Sequence, residues 1–463
     1  ISSKTKLFSN GSCEFGNEPN SSVNLFDAAM PGTLPVLNFS CVEKAVRTGL
    51  AVKGKINLHS VFERKHYFYP DLPHGYQITQ QHNPIITGGK IFMEDSQKEI
   101  RIHHIHMETD AGKSIHDLSP DKTYIDLNRA GIPLMEIVSE PDMQSSKEAL
   151  EYATKLRLIL QYIGSSSANM EKGELRCDAN VSVRKVGSKE LGVRCEIKNL
   201  NSLKSLVQAI DYEANRQVEL IESGEKITKD TRLFDANLIQ TRSMRSKEEA
   251  TDYRYFPDPD LLPLALTEEY IKKIAENLPE LPDEKEDRYI NQLGLTSYDA
   301  KVIVNNIKAA NYFDFLIKEE KHDPKLVARW LTTELFGILN KNNIKFDDLK
   351  ISTEYFSELM LLIEKDIISD RTAKDILSRM INENVNPRKI VEEENLAQIT
   401  DEKIIRKYVI SVLENNQDKV KEYLSGKDKL FAFFVGQIMK ETGGKASPNI
   451  INNLLKDEIN KYQ

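Results

Sequence analysis

The stretch 101–114, RIHHIHMETDAGKS, gathers three histidines (His103, His104, His106), two acids (Glu108, Asp110) and a Gly-Lys-Ser triplet. Three chemistries compete for such a set: a metal held by imidazole and carboxylate, a phosphate cradled by glycine and lysine, or a polar strand without a ligand. A phosphate loop needs G-x-x-x-x-G-K-[ST], and its first glycine would fall at Met107. That reading fails. As a strand, period-two alternation places Ile105 and Met107 on one face and His104, His106, Glu108 and Asp110 on the other. Carboxylate oxygens in such a row hold a hard cation such as Mg²⁺. Taken alone, the strand reads more simply as a solvent-facing polar one.

A second segment shifts that balance. PLMEIVSEPD (133–142) follows TYIDLN (123–128), and the intervening RAGI predicts a hairpin between them. Met135 and Ile137 face one way, while Glu136 and Glu140 face the other among Leu134 and Val138. A glutamate among apolar neighbours is costly without a partner. Two carboxylates about 4 Å apart repel by about 4 kcal/mol at an effective dielectric near 20, so a cation, an arginine or a proton must offset them. ELRCDANVSVR (174–184) sets Leu175, Cys177, Ala179 and Val181 against Glu174, Arg176, Asp178, Asn180 and Ser182. VRCEIKN (193–199) sets Val193, Cys195 and Ile197 inward, with Arg194, Glu196 and Lys198 opposed. Singly these are half-solvated strands. With the acidic pair they predict a concave polar sheet that holds a highly charged ligand.

Elements able to position these residues follow from the punctuation of the chain. At 463 residues it is too long for one ordinary core. Up to about residue 285, short alternating segments are broken by MPGTLPVLN, YPDLPHGY, ITGGK and NRAGIP. Helices are expected at about 145–163, with Ser145, Ser146 and Glu148 as capping residues, and at about 200–223. The acidic, proline-punctuated ENLPELPDEKEDR (276–288) marks a boundary. Beyond it a 3.6-residue period dominates in DPKLVARWLTTELFGIL, STEYFSELMLLIEK, RTAKDILSRMI and EKIIRKYVISVLE. The expected class is α+β: a β-rich, cradle-like domain over 1–285, an all-α domain over 286–395 and a helical tail over 396–463.

Composition narrows the function classes. The longest nearly apolar run, LFAFFVGQIM (430–439), is about half of a membrane span. Cys13, Cys41, Cys177 and Cys195 show no C-x-x-C spacing and no disulfide framework, which favours a reducing compartment. A net charge of −8 argues against sequence-independent wrapping of nucleic acid, though not against a local basic patch. The chain starts at Ile1 without a secretory or transit pattern, and is expected to be a processed or trimmed product.

FGNEPNSSVN, MPGTLPVLN, KHYFYPDLPHGYQIT, METDAGKS, DLNRAGIPLMEIVSEPD, LRCDANVSVR, EIKNLNS and TDYRYFPDPDLLP occur in the order seen in GatB, the B subunit of the tRNA-dependent glutamyl/aspartyl amidotransferase. GQIMKETGGKASPNIINNLLKDEI resembles that family's C-terminal module, related to the YqeY domain. The resemblance covers essentially the whole chain. It implies a ligase subunit that corrects misacylated Glu-tRNA(Gln), or Asp-tRNA(Asn) in some lineages. Ammonia cannot displace oxide from a carboxylate, so ATP phosphorylates the side chain and ammonia then displaces phosphate. The resemblance also implies an amidase partner that supplies ammonia from glutamine, a small third subunit, and ATP with Mg²⁺ as cofactors. Glu108 and Glu136 match the family's acidic positions near metal and phosphates, with His106 and Asp110 as further catalytic or metal candidates. Lys113, Arg176, Asp178 and Lys198 are candidates for the nucleotide cradle. DYRYFPDPD (252–260) is either a family-specific functional loop or a proline-locked loop with Tyr253 and Tyr255 in packing roles. Relatives begin with a strand resembling G-L-E-x-H that adds a glutamate and a histidine ahead of Ile1, and many carry an acid where Thr109 stands.

Residues 401–463 hold 11 Lys/Arg against 9 Asp/Glu. Gly443-Gly444 should end a helix and leave Lys445 in a flexible loop, so that Lys440 and Lys445 are the candidate tRNA contacts. The competing readings are a non-catalytic tRNA-binding scaffold and a stand-alone nucleotide-using ligase. The Glu108/Glu136 pair separates the catalytic reading from the scaffold, and turnover without tRNA or partner would mark the stand-alone enzyme. The mitochondrial matrix is the expected location, with the bacterial cytoplasm as alternative.

Overall fold

The computed structural model describes residues 1–246, 252–399 and 401–462. Thr251, which opens the TDYRYFPDPDLLP block, lies outside them. The chain divides into two compact units, Ile1–Pro282 and Asp283–Gln463. Strands dominate the first and helices the second. No helix among the described residues is long and apolar enough to cross a membrane.

The first unit runs α1 (Phe39–Ala51), β1 (Lys55–Ile56), β2 (His59–Ser60), β3 (Glu63–His66), β4 (Tyr76–Thr79), β5 (Ile86–Thr87), β6 (Lys90–Met93) and β7 (Lys98–Thr109). It continues with β8 (Lys113–Ile115), β9 (Tyr124–Asp126), β10 (Pro133–Ser139), α2 (Ser146–Tyr162), β11 (Cys177–Val181), β12 (Cys195–Leu200) and α3 (Leu203–Glu222). It closes with β13 (Asp230–Asp235), β14 (Gln240–Ser246), β15 (Phe256–Pro257), β16 (Leu264–Ala265) and α4 (Glu268–Glu276). Helix α2 starts as expected: the Ser145 hydroxyl accepts from the Glu148 amide. Helix α1 has no counterpart in the sequence reading. Its cap Asn38 accepts from Ser40 N and donates to Ser3, Thr5 and Lys6, so contacts distant in sequence help to set where it begins.

The long strand β7 organises the first sheet, ordered β1-β5-β7-β10 with β6 also paired to β7. Val138 pairs with His104 and Ser139 with Ile102, which leaves His103 as the extra residue of a β-bulge. The bulge shifts the alternation by one. Ile100, Ile102, Ile105 and Met107 therefore all reach the core, which a regular strand would not allow. There they meet Cys41, Val42, Ala45 and Val46 of α1 and Leu156, Ile159 and Leu160 of α2. Burying each large side chain contributes about 1.5–3 kcal/mol, so this face fixes the register and with it the polar face opposite.

The hairpin expected between 123–128 and 133–142 does not form. Strand β9 pairs back with β8, and β10 pairs with β7. Gly131, at φ +83°, turns the chain so that its N–H donates to Asp110 O while Asp110 N donates to Ile132 O. The chain thus enters β10 beside β7, where a longer ladder with a buried face outweighs the short β8–β9 pairing. Glu140 lies past the register shift and lines an open groove with Lys53, Gly88, Gly89, Arg101 and His103, away from the carboxylate cluster.

A second sheet, β11-β12-β13-β14, packs Ala179, Val181, Ile197, Leu200 and Phe234 against Leu206 and Ala209 of α3. Its alternation is as expected except at Val193, which is 45% exposed because β12 starts only at Cys195.

In the second unit the helical period is borne out by helices Thr353–Glu364, Asp370–Glu383 and Glu402–Glu414. The segment 324–341 is helical throughout, with a π turn at Trp330–Leu335 that buries Trp330. A separate core of Ile405, Val409, Phe434, Ile438, Leu454 and Leu455 joins the last helices.

Candidate active site

The β7–β10 register sets Glu136 opposite His106, with Glu108 two residues further on the same face. His106 Nε2 lies 3.4 Å from Glu108 Oε2 and 3.7 Å from Glu136 Oε2. One potential ligand atom from each of the three lies within 4.8 Å of the others. His106 and Glu108 are buried, whereas the Glu136 side chain is 54% exposed. The cluster has a closed floor and an open mouth.

The β3–β4 hairpin supplies one wall. Thr79 Oγ1 donates to Glu108 Oε2 (3.4 Å), and Gln77 Nε2 donates to Thr109 O (2.7 Å). Lys65 pairs in register with Gln77, and its charge acts on both Glu108 and Glu136. Sequence reasoning missed Lys65, Gln77 and Thr79. Alternation along 63–67 and 77–79 was the available signal, but it does not say which strand a hairpin will face. The Lys65 ammonium stands 4.9 Å from the Tyr253 ring, which packs against Tyr67 and Tyr255. The DYRYFPDPD segment is pinned by buried Asp258, which accepts from Arg64 Nε at 2.8 Å. Arg64 in turn stacks 4.3 Å over Tyr76. Tyr253 and Tyr255 thus have the expected packing role and also border the carboxylates.

The charges are unevenly settled. Burial pushes Glu108 up, but the hydrogen bond and charge of His106, then Lys65 and Gln77, more than reverse this and hold it below the usual carboxylate range. Glu136 is raised, by burial first and then by the negative charge of Glu108, with His106 and Lys65 opposing. Burial, then Tyr253, then Glu108 and Glu136 push the Tyr255 phenol up to about 12. His104 is driven down to about 4 by burial and by the neighbouring His106 and His103. The site therefore carries excess negative charge at its open edge. Two carboxylate oxygens and one imidazole nitrogen at this spacing suit a divalent cation, which would relieve that excess.

The other sequence candidates fall in different places. Asp110 is buried and bonds Arg176 Nη2 at 2.7 Å, with Arg129 Nε at 3.5 Å. Burial raises its pKa despite the two arginines. It is not in the three-residue cluster but ties Arg176, on the segment leading into β11, to the end of β7. Arg129, unforeseen, also donates to Ala111 O and Gly112 O. Lys198 pairs with Asp178 (3.4 Å) and Glu196 (3.3 Å), and the Asp178 charge reaches Glu136. Lys113 is exposed on β8 opposite Asp126, outside the cluster. In the second unit Lys440 is exposed at a helix end. Gly443 and Gly444, both with positive φ, follow that helix, but Lys445 is not in a loose loop. Its Nζ donates to Asn395 O (2.9 Å), its carbonyl accepts from Ile399 N (2.7 Å), and the next residue, Ala446, is bridged to Ile399.

Known families match both units of the chain. The GatB/GatE catalytic domain family matches residues 1–272, and the GatB domain family matches residues 311–459. The chain belongs to the GatB family. Among its relatives, the B subunit of the aspartyl/glutamyl-tRNA(Asn/Gln) amidotransferase from Neorickettsia sennetsu is 59% identical over 100% of this chain and 94% of its own length. The proteins of the same name from Wolbachia pipientis wMel and Rickettsia bellii are 55% and 53% identical, each over 99% of this chain and 96% and 95% of their own lengths. These GatB relatives are bacterial, which does not fit the expected mitochondrial location.

Proposed function

We propose that this GatB-family chain is the B subunit of a tRNA-dependent amidotransferase of the bacterial cytoplasm. It converts the side-chain carboxylate of misacylated Glu-tRNA(Gln) into an amide. The names of its relatives couple Asp to Asn as well as Glu to Gln, so Asp-tRNA(Asn) is a second substrate to test. The observation that carries the reading is the His106–Glu108–Glu136 cluster in a chain of this family.

MgATP, when bound, supplies the phosphoryl group that turns the carboxylate oxygen into a competent leaving group. Glu108, kept ionised by His106 and Lys65, offers a fixed anionic oxygen. Glu136 and His106 Nε2 complete the donor set for the cation. Arg176, held by Asp110, and Lys198, held by Asp178, would offer positive charge to a bound phosphate. The walls of β3–β4 and the Tyr253–Tyr255 segment hold Lys65 near the carboxylates. Ammonia comes from a glutamine-hydrolysing amidase partner, with a small third subunit in the same complex. Lys440 and Lys445 serve the tRNA backbone, Lys445 from a fixed position.

The test is co-expression with the amidase and third subunits, co-purification, and transamidation of Glu-tRNA(Gln) and Asp-tRNA(Asn) with ATP or glutamine withheld in turn. Product that requires both is expected. Product formed without ATP, or turnover by this chain alone on a small substrate, would overturn the proposal.

A further inference from the structure

The bulge at His103 has a chemical consequence beyond register. In a regular strand neighbouring side chains point to opposite faces, so His103 and His104 would not meet. Here they touch: His103 Nδ1 lies 2.7 Å from His104 Nδ1, with ring centroids 4.9 Å apart. The row continues inward. His104 Nε2 lies 3.1 Å from His106 Nδ1, and these rings stack at 5.2 Å and 16°. The far nitrogen of His106 is the one facing Glu108 and Glu136. Three imidazoles thus connect through alternating ring nitrogens, from an exposed residue at the surface groove to the buried floor of the carboxylate cluster.

We propose that His104 is a positioning residue for the cation site: its imidazole fixes the ring plane and tautomer of His106 so that His106 Nε2 presents its lone pair toward Glu108 and Glu136. A histidine that ligates through Nε2 must carry its proton on Nδ1, and that proton needs an acceptor. His104 Nε2 is that acceptor, and His104 Nδ1–H passes the same polarity to His103 Nδ1. The same contacts also allow the opposite sense, in which His106 Nε2–H points to Glu108. The bulge makes this two-way row by turning one added residue into a third link. The inference rests on the cation reading of the cluster, and its test separates the two.

The full-length chain, co-purified with its partner subunits, is titrated with Mn²⁺ alone, and free Mn²⁺ is read by electron paramagnetic resonance. Wild type is compared with Glu136→Gln, His104→Leu, His104→Gln and His103→Leu. Loss of an outer-shell partner costs about 10–100-fold in metal affinity, and that loss is expected for His104→Leu. His104→Gln, whose amide oxygen stands near the Nε2 position, should recover most of it, which a purely packing role would not predict. Should His104→Leu fail to fold, His103→Leu at its exposed site carries the test: a several-fold loss supports the row, and none overturns it. Mn²⁺ binding that ignores Glu136→Gln sinks the cation reading itself. Binding that needs Glu136 but is unchanged in His104→Leu, or equally weak in His104→Gln, overturns the positioning role alone.

Discussion

Glu136→Gln should raise stability while abolishing function. The carboxylates of Glu136 and Glu108 offer atoms within 4.8 Å of each other. At that separation the repulsion is about 3 kcal/mol at a dielectric of 20 and about 1 kcal/mol in bulk water. Glu136 is 54% exposed, so the lower figure applies. Its pKa in the folded chain is raised, by burial and then by Glu108. Ionised Glu136 therefore works against the fold at pH above that raised value, and the penalty disappears as pH falls through it. The neutral amide removes the penalty at every pH. Glu136→Gln should thus match or exceed wild-type stability by up to about 1 kcal/mol at neutral pH in a urea titration followed by circular dichroism. The same change removes one of the three proposed cation ligands, so Mn²⁺ affinity should fall at least about tenfold, equivalent to 1.4 kcal/mol. ATP-dependent transamidation should be lost while tRNA binding persists. A variant that is less stable at neutral pH, yet binds Mn²⁺ and turns over normally, would refute both the electrostatic argument and the site.

Lys65→Met removes a positive charge that holds down both Glu108 and Glu136, so both carboxylates should titrate higher. The pH at which half of the Mn²⁺ binding is lost should move upward, and no shift or a downward one would exclude Lys65 from the site. Asp27→Leu strands the Lys6 ammonium, since the two side chains are 0% and 1% exposed and 2.8 Å apart. The expected cost is about 3–5 kcal/mol, and Lys6→Met combined with Asp27→Leu should recover most of it; a double variant as unstable as the single one would show that the pair is not what is broken.

Much of the site was legible in residues 101–114 because alternation is local. Which of Ile105, Met107, His106 and Glu108 share a face follows from the pleat alone, and Met107 by itself removed the phosphate loop. The pairing of Glu136 with this strand was not legible. The RAGI turn is compatible with a return to 123–128, and only the buried ladder against β7 decides otherwise. Asp110 shared the predicted face, yet the arginines that draw it out of the cluster come from 129 and 176.

The sequence by itself determined the α+β class, the helical second half, the shared face of His106 and Glu108 and, through blocks of ordered motifs, the family. Periodicity, capping and motif order are properties of near neighbours along the chain, so they survive without a fold. Only the tertiary structure decided that His103 is a bulge, that Lys65 overlooks the carboxylates and that Lys445 is tied down. Each depends on which distant strand or carbonyl arrives at a given place. For His103 and Lys65 that is settled by the burial of Ile100, Ile102, Ile105 and Met107 on one face, and for Lys445 by the carbonyl of Asn395 and the bridge to Ile399, conditions of a packed unit rather than of any short stretch.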